Sequence, residues 1–173
     1  MKKIICIVGL LAILCTVCGC ARQANTEEAN TQEVHSVIKS AIKSQEIGWC
    51  HYEPGDSFGE AHHVFACFDG NLKGKERSEC MTVYLYYLCG YFAPDGEMRS
   101  GSAVPAAVVL NRAGDTWTVE QIWQPRDGAY YSEDLIATFP FSVYKQLRAF
   151  EDNHNENIEA LEMEIMKDLK SAE

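Results

Sequence analysis

Residues 79–92 read ECMTVYLYYLCGYF, a run dense in β-branched and aromatic side chains. Such side chains fit a pleated sheet and lose rotamer freedom in a helix. A strand this long needs pairing partners, and turn chemistry on both sides supplies them. Downstream, Pro94-Asp95-Gly96 closes a hairpin, because proline fixes the entering dihedral and glycine accepts a positive one. Residues 102–111 form the next strand, in which Pro105 marks an edge or a bulge because it cannot donate to a ladder. Ala113-Gly114-Asp115 turns into a fourth strand, residues 116–124, where Trp117, Val119 and Trp123 alternate with Thr118, Glu120 and Gln124, giving one buried and one wet face. Residues 60–68 are the first strand of the series, joined to the second by the charged, glycine-containing connection DGNLKGKERS.

Helical periodicity brackets this strand series. Val34, Val37, Ile38, Ala41 and Ile42 make one stripe of a helix over residues 31–46, with Asn30 and Glu33 as a capping pair and Gly48 beyond its end. After the strands, residues 132–137 form a short helical segment and Pro140 punctuates. Val143, Leu147 and Phe150 then share a face, and Ile158, Leu161, Ile165 and Leu169 form a last stripe. The stretch DNHNEN, residues 152–157, either breaks these two helices apart or is a solvated part of one. The expected fold is α+β: an N-terminal helix, a four-stranded antiparallel meander sheet and C-terminal helices, packed on one face of the sheet. Cystatin-like and nuclear-transport-factor-like sheets share this element order, by analogy of topology alone.

The first residues carry a different signal. Lys2 and Lys3 precede an uncharged, mostly apolar run of 14 residues, 4–17. A membrane-crossing helix needs roughly 20 apolar residues, and a positive start followed by a short apolar core is the pattern of a secretory signal. The run ends in Val17-Cys18-Gly19-Cys20, which resembles the bacterial lipobox. There the thiol of Cys20 becomes a thioether to diacylglycerol, and small neighbours admit the cleaving peptidase. Cys15 and Cys18 lack a Gly or Ala immediately before them. The expected organisation is a lipoprotein signal peptide over 1–19, a lipidated tether over 20–30 and a single α+β domain over 31–173. The tether sequence ARQANTEEAN is too poor in apolar groups to order itself. A bacterial lipid anchor has more than one acyl chain, enough for stable attachment to a membrane.

Without Lys2 and Lys3 the chain keeps 13 basic against 25 acidic side chains, a formal charge of −12. That balance argues against nucleic acid and against electrostatic docking on anionic lipid, since both need a basic face. With 47% hydrophobic and 23% charged residues, neither a disordered nor a collagen-like chain fits.

The stretches VYLYYLCGYFAPDG and SGSAVPAAVVLNRAGDTWTVEQIWQPRDGAYYSEDLIATFP, and less closely EAHHVFACFDGN, resemble an uncharacterised extracytoplasmic domain of Firmicutes. That domain occurs as free lipoproteins and appended to membrane zinc metallopeptidases of the antibiotic-sensor type. The resemblance spans roughly residues 60–140, and its most specific piece is WQPRDGAYY, residues 123–131. It implies an accessory or sensing module and carries no activity over. The chain has no His-Glu-x-x-His, so the peptidase itself is absent, and the cysteines inside the strands depart from the family's usual residues.

Of eight cysteines, Cys6, Cys15 and Cys18 leave with the leader and Cys20 is acylated. Cys50, Cys67, Cys80 and Cys89 remain, an even count that favours disulfides outside the cytoplasm. A hairpin register placing Cys67 opposite Cys80 also pairs Phe65 with Thr82, His63 with Tyr84 and Val64 with Val83, keeping apolar partners together. It predicts a Cys67–Cys80 disulfide and leaves Cys50 for Cys89. A zinc site from Cys50-His51, His62-His63 and Cys67 is the competing reading. Adjacent histidines on a strand face opposite ways, and beyond the leader there is no Cys-x-x-Cys and no helical His-x-x-x-His, so no metal and no cofactor is assigned.

The candidate surface is the exit from the last strand. Arg126 can clamp an anion bidentately, Asp127 can hold that guanidinium, and Trp123, Tyr130 and Tyr131 offer flat faces to a sugar ring or peptide. The competing structural reading makes Asp127-Gly128 a turn, Arg126 a loop staple and the aromatics part of the core. Three function classes follow. The leading one is a non-enzymatic, membrane-anchored surface lipoprotein that binds or senses an envelope protein, peptide or glycan. The second is a small cell-envelope hydrolase using Asp127 or Glu53 with His51, His62 or His63 in a cleft. The third is a purely structural envelope protein.

Overall fold

The computed structural model describes residues 31–46, 51–72 and 79–171. Cys20, the leader and tether, Asn30, Gly48 and Cys50 lie outside them. The chain runs α1 (Gln32–Glu46), β1 (Ser57–Asp69), β2 (Cys80–Phe92), β3 (Met98–Ala113), β4 (Thr116–Trp123), a 3-10 turn (Gly128–Tyr130), α2 (Tyr131–Thr138), α3 (Phe141–Asp152) and α4 (His154–Ser171). The four strands form one antiparallel sheet in the order β1-β2-β3-β4. This is the expected α+β meander. No described helix is long and apolar enough to cross a membrane.

Every residue of β2 is buried, which requires cover on both faces of the sheet. Met81, Val83, Leu85, Tyr87 and Cys89 face α1, where Val34, Ile38 and Ile42 supply the stripe read from sequence. Tyr84, Tyr86, Leu88 and Phe92 face the C-terminal helices, through Leu135, Val143, Leu147, Phe150, Leu161 and Ile165. Helices therefore cover both faces, not one, and β2 needs apolar side chains at both parities. Pro105 sits where the edge reading placed it. β4 ends with Trp123 opposite Ala107, so among the described residues β3 has no strand partner on that side from Met98 to Ala106.

The helix termini differ in detail. Thr31 starts α1, its Oγ1 accepting from the N–H of Val34 and its carbonyl from that of His35. Glu33 instead reaches β4, where its Oε1 accepts the N–H of Trp117 at 3.1 Å and pins α1 to the sheet. The stretch 152–157 is a break: Asn153 leaves helical geometry, and Asn157 Nδ2 donates to the carbonyl of Phe150.

The register overturns the expected Cys67–Cys80 disulfide. Val64 pairs with Leu85 and His63 with Tyr86, two residues further along β2 than the apolar-matching register. A bulge between Val64 and Ala66 then adds one more step, so Cys67 lies opposite Val83. Cys67 is a buried free thiol among the α1-facing residues. Cys80 is across from Asn111 on the opposite face of β2 from Val83, so the pair cannot be bridged. The partner assigned to Cys89 is Cys50, outside the described residues.

Candidate functional site

The predicted surface is divided by the fold. Where β4 ends, Gln124 Nε2 donates to the hydroxyl of the fully buried Tyr87, fixing the exit of the chain. Arg126 then meets Asp134 in the first turn of α2. Its Nε and Nη2 donate to the two carboxylate oxygens at 2.8 and 2.7 Å, and its backbone N–H donates at 2.9 Å. Asp134, not Asp127, thus holds the guanidinium, and the hydrogen bonds from Arg126 bring the Asp134 carboxyl down to about 2. Asp127 is exposed and makes no side-chain cap to the 3-10 turn. The guanidinium also lies 4.2 Å from the centroid of the Tyr130 ring.

Trp123 and Tyr131 belong to packing. Trp123 is half-buried with its ring centroid 5.9 Å from that of Phe139. The Tyr131 hydroxyl donates to Glu151 at 2.7 Å, and burial with that bond pushes its pKa up. What remains on the surface is Arg126, Asp127 and Tyr130. Ile136 and Phe141 are also exposed, with Lys145 Nζ 4.6 Å from the Phe141 ring centroid.

A second constellation lies at the free edge of β1. Residues Glu60 and His62 are two apart on a strand and so share a face. That face is the one under α1, and His35 of α1 comes down beside it. His62 Nδ1 donates to Glu60 Oε1 at 2.8 Å, and His62 Nε2 and His35 Nδ1 are 2.6 Å apart. In neutral His62 a carboxylate acceptor on Nδ1 leaves Nε2 as acceptor, which makes His35 Nδ1–H the donor in that pair. Side-chain exposure is 1% for Glu60 and 5% for His62. Glu60 Oε2 is buried with no hydrogen-bond partner among the described residues. The three residues line a cavity of about 390 Å³ shared with Ser36, Lys39, Glu164 and Asp168. Lys39 of α1 bonds Asp168 of α4 at 2.7 Å, so the two helices are clasped past the strand edge.

His63 turns to the other face, as strand parity requires, where its ring meets Phe65 and Phe150 at centroid distances of 5.1 and 5.3 Å. The other members of the hydrolase reading are dispersed. Glu53 pairs with Arg99, and the backbone N–H of His51 donates to Ser100 Oγ. Burial raises the Cys67 thiol to about 11, which leaves it protonated and a poor nucleophile. Among the described residues, the histidine of this set that receives a carboxylate is His62, and the carboxylate is Glu60. The Glu-x-His spacing on a strand was the available signal for that pair. Nothing local marks His35, which is 27 residues from His62. Among the described residues no three His, Cys, Asp or Glu side chains stand assembled as a metal-ligand set.

Burial, then the neighbouring His62, lowers the pKa of His35, partly offset by Glu60; burial and His62 lower that of His63. A histidine depressed below its unfolded value of 6.5 stabilises the fold fully above that pH. Below it the unfolded chain binds more protons, and the contribution is lost as pH falls through the folded pKa. The melting temperature is therefore expected to drop between pH 7 and pH 5, and His35→Gln to flatten that slope more than His63→Gln, because the His63 ring is exposed and solvent screens its share. Thermal scans across this range, above most carboxylate titration, check it. An unchanged slope in His35→Gln is the contrary result.

The chain was compared with protein-family models, with curated proteins and with solved structures, and it matches none of them.

Proposed function

We propose that this protein is a membrane-anchored bacterial surface lipoprotein acting as a non-enzymatic binding or sensing module for an envelope partner. The observation carrying this reading is the exposure of three large apolar side chains within residues 130–141. Tyr130, Ile136 and Phe141 expose 53, 64 and 72% of their surface, and Tyr130 and Phe141 each carry a cation over the ring. Exposed apolar groups mark interaction sites when they gather into a patch, and aromatic residues with arginine dominate binding energy at interfaces. The bidentate Asp134 bond holds Arg126 in place, so little conformational freedom is left to be lost on binding. The lipobox-like Val17-Cys18-Gly19-Cys20 and the resemblance of residues 60–140 to an extracytoplasmic module point the same way.

Two experiments test it. The paired change Tyr130→Ala with Phe141→Ala is expected to leave the melting temperature within about 2 °C, since surface substitutions cost roughly 0.5 kcal/mol or less. The same variant should lose the partner recovered by crosslinking on the native cell surface. Equal recovery by wild type and variant counts against the surface. For the anchor, Cys20→Ala is expected to abolish lipid labelling and either release the protein or leave it as uncleaved precursor. Mass spectrometry placing an unlipidated mature N-terminus elsewhere than Cys20 is the opposing outcome.

The runner-up, a small cell-envelope hydrolase, is favoured by the Glu60–His62–His35 chain, which has the carboxylate–imidazole half of a general-base system. Both nitrogens of His62 are engaged, by Glu60 and His35, and neither engagement presents a hydroxyl or thiol for activation. The binding reading therefore stands first.

A further inference from the structure

We propose that His35 and His62 are the nitrogen half of a binding site for a divalent transition-metal cation of zinc's class, completed by Glu164 of α4 and water in the cavity they share. Nδ1 of His35 and Nε2 of His62 approach to 2.6 Å, so their lone-pair positions meet in one gap. Zinc–imidazole bonds of about 2.0–2.1 Å at a tetrahedral angle separate two nitrogens by about 3.3 Å. An ion replaces the shared proton once the rings part by under about 1 Å. The proton of His35 Nδ1 then sits on its Nε2, the other neutral tautomer, so both rings ligate uncharged.

The surroundings favour this charge. Behind His62, Glu60 accepts from Nδ1, the arrangement in which a carboxylate fixes the tautomer and strengthens a metal-ligating imidazole. Its second oxygen is buried without a partner among the described residues, an arrangement that is costly unless positive charge comes close. The cavity is lined by three carboxyl groups, Glu60, Glu164 and Asp168, against one ammonium, and that ammonium, Lys39, is bonded to Asp168. Imidazole with carboxylate is a donor set suited to zinc and its neighbours rather than to calcium or magnesium, which take oxygen. Two nitrogens are in position, and Glu164, which lines the same cavity, is the carboxylate proposed to complete a set of three that does not stand assembled among the described residues.

The test is a titration of the mature, acylated protein, whose leader thiols are gone, with Co²⁺, a spectroscopically visible stand-in for zinc. One equivalent is expected to bind with visible d–d bands, displaced by Zn²⁺. Binding should vanish in His35→Gln and weaken about tenfold in Glu60→Gln, the usual loss when a supporting carboxylate is removed. It should persist in His51→Gln and His154→Gln. On the wild-type protein, ¹⁵N spectra should show the ring nitrogens of His35 and His62 moving with Zn²⁺, a readout that needs no variant to fold. Failure of Co²⁺ to bind, binding that survives His35→Gln, a sulfur-to-cobalt charge-transfer band, or unmoved His35 and His62 nitrogens each overturns the proposal. None of these outcomes bears on the outer aromatic surface, which stands or falls on its own variant.

Discussion

His62→Ala is expected to destabilise the fold by about 3–5 kcal/mol, the usual consequence of removing one partner of a buried hydrogen-bonded pair. Glu60 is 2% exposed, and one of its oxygens already lacks a partner among the described residues. Without His62 the other is stranded as well. The informative comparison is the double change Glu60→Leu with His62→Leu. Replacing both members of a buried polar pair by apolar groups of similar size is often near neutral, so the double variant should recover most of what the single change loses. Urea unfolding of wild type, both single variants and the double variant gives the coupling directly. Additive losses would mean that Glu60 and His62 act on stability independently.

Leu85→Ala is expected to cost about 2–5 kcal/mol, the range for truncating a fully buried leucine. Leu85 lies in the middle of β2, opposite Val64 on one neighbour and Ala106 on the other, beneath the Ile38 and Ile42 stripe of α1. Strands pair on both sides and a helix covers the face, so little can relax into the space left. Domains of this kind are stable by roughly 5–15 kcal/mol, and this one side chain is a large share of that. Calorimetry or denaturant titration checks it. A loss below about 1 kcal/mol, the size expected of an exposed site, would show that α1 does not cover this face in solution.

The contrast between these two sites tracks what can be read locally. That residues 79–92 form a strand follows from composition and turn residues, properties of neighbours along the chain. Which residues of β1 face which residues of β2 does not. β2 is apolar at both parities because helices lie on both faces, so sliding β1 by two residues still matches apolar with apolar. The apolar-matching test therefore passed a wrong register, and the bulge next to Phe65, which reverses the parity of Cys67, left no mark in composition. The disulfide expectation failed for that reason.

The candidate surface shows the same division on a smaller scale. Arg126, Tyr130 and the turn at Asp127-Gly128 are visible in the sequence as a cation, an aromatic and a turn. The partner of Arg126 is Asp134, eight residues on, because the 3-10 turn folds the first turn of α2 back against the strand exit. Trp123 and Tyr131, equal to Tyr130 by composition, are drawn inward by Phe139 and Glu151.

The sequence by itself determined the kinds of element, their order and most of their limits. It also determined that Glu60 and His62 share a face and that His62 and His63 do not. Those outcomes depend on backbone periods and turn dihedrals that act over a few residues. The tertiary structure alone decided that α1 and the C-terminal helices take opposite faces, and that the β1 register slides. It alone set His35 against His62 across 27 residues. Such choices balance the burial of whole faces against one another, and no local stretch of sequence carries the result of that competition.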